Sequence, residues 1–179
     1  MRRLGVSPDL KIGPVSVHMV TTRTAVKLTG LTPEQLREWT IRRSLIPADI
    51  KPKGQGSPAR YSWQTILLLR LALVLHDRFK LELQAHRELF ADMASTFART
   101  PFRSLWSKAL VLQGDQRCRI LERDELVATS EDCIVLTLDP HLTQLAEAFS
   151  LSPHTLAKQY ELFDGVRAGL QIMTGTGGR

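Results

Sequence analysis

At 179 residues, 43% of them hydrophobic, the chain is long enough for one ordinary domain or two small ones and can bury a core, which excludes global disorder. Its net charge of +6 is unevenly spread: residues 1–80 hold 14 Lys and Arg against 5 Asp and Glu, whereas residues 81–179 hold 10 against 13. A basic half joined to a mildly acidic half suggests a polyanion-binding module and a second part with another task, with a merely solvated basic surface as the plainer alternative.

Two cysteines, Cys118 and Cys133, make no disulfide framework and fit a reducing compartment. Met1-Arg2-Arg3-Leu4 is not followed by an apolar run of signal-peptide length. The longest apolar stretch, Ile66 to Leu75, is interrupted by Arg70 and is too short to span a bilayer. The expectation is a cytoplasmic protein with no membrane partner.

Residues 1–18 carry Pro8, Gly13 and Pro14 and little periodicity, and read as a flexible arm. Met19 to Thr22 is a candidate short strand. Thr21 or Thr22 can cap a first helix running to Thr29, and Gly30 ends it. Thr32-Pro33-Glu34-Gln35 then reads as a second helix start: Thr32 as N-cap, Pro33 at the first helical position, Gln35 completing a capping box. This helix is expected to reach Arg43, with Leu36, Trp39 and Thr40 on one face and Glu34, Arg37, Glu38 and Ile41 on another. Pro47, Pro52, Gly54, Gly56 and Pro58 mark residues 47–60 as a loop or hairpin. Ser62 can cap a helix to about Leu75 that is apolar nearly all round, and so is expected to pack on more than one side. Leu81, Ala85, Leu89, Met93 and Phe97 suggest a further helix from Leu81 to Ala98.

Beyond Thr100-Pro101, where a domain boundary is expected, the pattern changes. Ala109–Leu112, Cys118–Glu122 and Cys133–Leu138 read as strands, the first two joined across Gly114-Asp115. Asp139-Pro140 suggests the cap of a helix to Phe149, and Ser152-Pro153 that of another carrying Leu156, Tyr160 and Phe163. Residues 174–179 read as a disordered tail.

Two short helices joined by a tight glycine-containing turn suit DNA, because a helix fits the major groove and its exposed side chains can meet base edges. At these residues the chain resembles the MerR family of bacterial regulators, over roughly Met19 to Leu75. Thr24 to Leu31 is similar to the family's first helix and turn, and Thr32 to Trp39 to its recognition helix. Ser44-Leu45-Ile46-Pro47 resembles the exit from that helix, where the family usually has glycine at the place of Ser44. The stretch to Arg60-Tyr61-Ser62 resembles the wing, and Ile66–Leu75 the helix that supports it.

The resemblance implies a winged helix-turn-helix, placed in residues 19–100; with the strand-like pattern beyond it the expectation is an α+β protein whose second part is a small α/β domain in residues 101–173. Thr32 at its start and Glu34, Gln35, Arg37, Glu38 and Arg42 on faces away from Leu36 are the candidate DNA contacts of the second helix; the resemblance implies contact by Arg37, and by Lys51, Lys53, Arg60 and Tyr61 in the wing. Trp39 matches a family aromatic that is part packing and part contact. Glu38 stands where the family has an aromatic, and a carboxylate there needs a partner such as Arg42. The implied partners are double-stranded DNA and a second copy of the chain, although strand-like segments occupy the region where the family has its dimerising coiled coil. Transcription regulation is the implied role. A protein-interaction adaptor and an excisionase-type architectural protein remain alternatives.

Other signals carry less. Gly54-Gln55-Gly56-Ser57-Pro58-Ala59 has the letters of a dinucleotide fingerprint, but no strand precedes it and Pro58 sits where a helix would run. Cys118, Cys133, His141 and His154 match no metal-ligand spacing. No nucleophilic triad or carboxylate pair stands out, so no enzyme activity, cofactor or metal is expected. Leu145 to Leu156 echoes Val26 to Leu36 in pattern, so residues 140–164 could form a second helix-turn-helix or simply two packed helices.

Overall fold

The computed structural model describes residues 18–151, apart from residues 53, 55, 56, 123 and 129–131. The expected arm and tail, Lys53 and most of the proposed second helix-turn-helix lie outside the described residues. The described chain is α+β, with helices and two small antiparallel sheets.

Strand β1 (Val20–Thr21) leads into helix α1 (Thr22–Thr29). The Thr21 hydroxyl accepts from the Thr24 amide at 3.5 Å as N-cap. At the other end Gly30 turns left-handed, φ +78°, and its amide reaches the Val26 carbonyl at 3.0 Å. Helix α2 (Pro33–Arg37) opens on the expected capping box: Gln35 N–H donates to Thr32 Oγ1 at 3.1 Å, and Thr32 N–H to Gln35 Oε1 at 2.9 Å.

The second helix does not continue regularly to Arg43. Residues Glu38–Arg42 form a π-helical turn. Regular spacing from Leu36 would place Trp39, Thr40 and then Arg43 on the core face. The wider turn leaves Arg43 exposed and buries Leu45 and Ile46 in its stead. The Trp39 carbonyl accepts from both of their amides, at 2.9 and 3.2 Å.

The chain then forms a hairpin closed, among the described residues, by a single bridge between Ile50 and Arg60. Arg60 and Tyr61 form β2, which pairs antiparallel with β1 in the register Val20↔Tyr61 and Thr21↔Arg60. Ser62 caps helix α3 (Trp63–Phe79), which runs one turn beyond Leu75. Ile66 to Leu69, Leu71, Ala72 and Leu75 are buried, and α3 packs against α1, α4 and α5. An almost wholly apolar helix is stable in water because other helices cover it on several sides.

The helix expected from Leu81 starts later. Leu83–His86 is a 3-10 turn and α4 spans Arg87–Arg99. Lys80 takes a left-handed conformation at the end of α3 and Glu82 an extended one, so the backbone cannot be helical at either. After a 3-10 turn at Phe102–Leu105, β3 (Lys108–Gln113) forms the centre of a sheet. Its neighbours are β4 (Cys118–Glu122) and β5 (Cys133–Thr137), in the order β4-β3-β5 and antiparallel throughout. Helix α5 (Asp139–Ala148) follows. Asp139 is not its N-cap: the carboxylate accepts from the Ser107 amide at 2.8 Å, tying the helix start to the approach to β3.

One cluster of buried side chains runs from Ala25 to Phe149, across the expected boundary at Thr100-Pro101. The two cysteines project from opposite faces of the sheet, because Cys118 pairs with Leu112 and Cys133 with its neighbour Gln113. Burial pushes the Cys118 thiol up to about 12, so it is an inert packing group. Among the described residues no helix is long and apolar enough to cross a membrane.

Candidate nucleic-acid interface

The turn between α1 and α2 is fixed from within. Thr29 is buried and its hydroxyl donates to the Ala25 carbonyl at 2.7 Å while accepting from the Leu31 amide at 3.3 Å. Leu31, Leu36 and Trp39 then anchor the inner side of the second helix, with Trp39 at 8% exposure edge-on to His76. Trp39 is therefore a packing residue. The outer side presents Glu34, Arg37, Ile41, Arg42 and Arg43 to solvent.

Across from this face stands the hairpin, held to the rest by Asp49. Its two carboxylate oxygens accept from the Ser62 amide and hydroxyl at 2.7 and 2.8 Å. Since Ser62 is also the N-cap of α3, the hairpin's entry and the longest helix share one hydrogen-bonded corner. Helix and hairpin enclose an open cleft of about 480 Å³, with Glu34, Arg37, Ile41 and Arg42 on one wall and Pro52 and Pro58 on the other.

Of the residues expected to contact DNA, Arg37 and Arg42 thus share this cleft with Glu34. The Arg37 guanidinium makes no hydrogen bond or ion pair to any of the described residues, so its donors are available. Lys51 and Arg60 are exposed on the hairpin. Thr32 is exposed, yet its hydroxyl is engaged in the helix cap. The Gln35 amide oxygen is engaged there too.

Glu38 is neutralised. Arg43 Nε donates to it at 2.6 Å and Arg42 lies at 3.4 Å, and the hydrogen bond from Arg43 is the chief reason its carboxyl is held below the usual range. Tyr61 is 1% exposed and reaches the cleft only as part of its floor. In the short strand β2 the exposed side belongs to Arg60 and the buried side to Tyr61.

Three residues of this surface were not among those expected. Arg43 meets Glu38 five residues earlier, a spacing that only the π-helical turn brings together. Ile41 and Ile50 are 45% and 43% exposed, and two exposed β-branched side chains beside basic residues are a signal that residue type alone could have raised. The end of the second helix is also secured from outside, as Arg87 at the start of α4 donates to the Arg43 carbonyl at 2.8 Å and the Ser44 carbonyl at 3.4 Å. Comparison with known proteins finds no family model that matches this chain and no curated protein that matches it.

Proposed function

We propose that the protein is a sequence-specific DNA-binding protein, acting as a transcriptional regulator through a MerR-like winged helix-turn-helix. The observation that carries this reading is the face of the second helix. Its inner side is fixed by Leu36 and Trp39, while Arg37 and Arg42 stand free of the core in a cleft shared with the hairpin. A rigid helix with exposed guanidinium groups suits base reading in a major groove, where arginine donates to guanine O6 and N7. Lys51 and Arg60 on the hairpin are placed to grip phosphate, adding affinity and salt dependence without sequence information. The pairing of Glu38 with Arg43 and Arg42 removes the main electrostatic objection, an unpaired carboxylate facing a phosphate backbone. A short recognition helix reads few base pairs, so the active form is taken to be a homodimer.

The test is recovery of bound fragments from a sheared bacterial genome at near-physiological salt, with Arg37→Ala in parallel. One enriched motif with the parent protein and none with the variant supports a sequence reader working through this helix. A two-fold motif supports the dimer. Sequence-blind retention by both proteins overturns the reading.

A second reading, a protein-interaction adaptor on the same scaffold, is favoured by the exposure of Ile41 and Ile50. Salt separates the two: phosphate contacts weaken steeply between 50 and 200 mM salt, by about 10³-fold or more for six or more contacts, whereas an apolar protein interface does not.

A further inference from the structure

A second concavity lies away from the cleft, where the first turn of α3, the end of α4 and the end of α5 converge. It has a volume of about 490 Å³, within the range of small-molecule sites. Its walls include Trp63, Phe102 and Phe149, with Trp63 and Phe102 packed edge to face at 5.0 Å between ring centroids. Five polar side chains break this apolar lining, His18 and Ser150 besides Gln64, Arg99 and Thr100. The Gln64 amide oxygen is shielded from solvent and has no hydrogen-bond partner among the described residues. The Arg99 guanidinium is exposed and makes no hydrogen bond or ion pair to any of the described residues. The Thr100 hydroxyl donates to the Thr96 carbonyl at 2.8 Å and keeps its acceptor capacity.

A buried acceptor left without a donor costs stability unless something supplies one, and the last torsion of a glutamine side chain turns easily. A free cation at the rim of an aromatic slot has the complementary need, an anion. We infer that this pocket is a binding site for a planar aromatic carboxylate carrying a hydroxyl group. Its ring would lie among Trp63, Phe102 and Phe149, its carboxylate on Arg99 and its hydroxyl donating to Gln64. The site is independent of the DNA-binding reading, since neither its walls nor its polar groups belong to the helix and hairpin that form the cleft.

The test is calorimetric titration of the full chain with 4-hydroxybenzoate, 3-hydroxybenzoate and benzoate, repeated on Gln64→Leu and Arg99→Ala, with melting curves for all three proteins. Saturable one-to-one binding of at least one hydroxybenzoate is expected, tighter than benzoate by about fivefold, the usual worth of one neutral hydrogen bond. Gln64→Leu removes that preference and leaves benzoate binding in place. Because Leu at this position buries no unpaired oxygen, its melting temperature is expected to equal or exceed the parent's. Arg99→Ala weakens every carboxylate by about tenfold. No saturable binding of either hydroxybenzoate overturns the inference, as does a hydroxyl preference that survives Gln64→Leu.

Discussion

Ser44 holds a backbone conformation, φ +46°, that a residue with a Cβ adopts at a cost of roughly 1 kcal/mol or more. It follows the π-helical turn and lets the chain double back so that Leu45 and Ile46 enter the core. Ser44→Gly is expected to raise stability by about 0.5–1 kcal/mol, the relieved strain less glycine's extra entropy in the unfolded chain. Chemical denaturation reads this as a higher midpoint with an unchanged slope, and a lower midpoint would count against the strain. The place was legible in the sequence, because the resemblance puts a glycine there. The capping box of Thr32 and Gln35 was equally legible, since its chemistry lies within four consecutive residues. Tyr61 was not. A strand of two residues gives no alternation from which to tell the inner side chain from the outer.

The hairpin is the element whose position decides the shape of the cleft, and its own pairing is slight. Among the described residues one bridge, Ile50 to Arg60, closes it, and two register pairs join it to β1. Asp49 supplies the missing rigidity through its two hydrogen bonds to Ser62. Asp49→Ala is expected to cost about 1–2 kcal/mol and to speed amide exchange at Ile50 and Arg60 more than at Leu69. Uniform acceleration would mean that the hairpin has no local freedom for Asp49 to restrain. The sequence announced a turn-rich segment through its prolines and glycines, but the long-range partner of Asp49 left no local trace. The start of α4 escaped for a related reason. Leu81 and Ala85 fit the helical period, yet Leu83 is the side chain that is buried and Ala85 is exposed.

At the scale of the whole molecule, Arg70 joins three helices. From the middle of α3 its guanidinium donates to the Leu28 carbonyl near the end of α1 and, through Nε at 3.1 Å, to His141 Nδ1 on α5. Half-buried, this cation interrupts the most apolar helix in the chain because both of its neighbours are acceptors. The bond requires a neutral His141 with its proton on Nε2. Burial, reinforced by the charges of Arg70 and Arg78, pulls the His141 pKa down from 6.5 to about 4. Between those values the unfolded chain binds the proton that the folded chain refuses. This contribution to stability is complete above pH 6.5, declines as pH falls towards 4, and changes no further below. His141→Asn keeps an acceptor for Arg70 and removes the titration. Its melting temperature is expected to fall less than the parent's over that window, and equal slopes would locate the acid sensitivity elsewhere. In the sequence Arg70 was visible only as a break in an apolar run. Its partners lie 42 and 71 residues away, beyond any periodic pattern.

The wide turn at Glu38–Arg42 has a geometric consequence. It inserts slack into the helix, so the chain that leaves it is out of phase with the chain that enters. Regular winding of the same residues would rotate everything beyond by about 100°. Arg43 would swing to the side of Leu36, and Leu45 would be drawn out of its socket. The surface that carries Arg37 and Arg42 is therefore indexed against the core by a single residue of surplus length: one residue fewer would take up the slack and leave Leu45 and Ile46 facing inward, whereas one more would be felt as a change of azimuth before it was felt as a loss of contact.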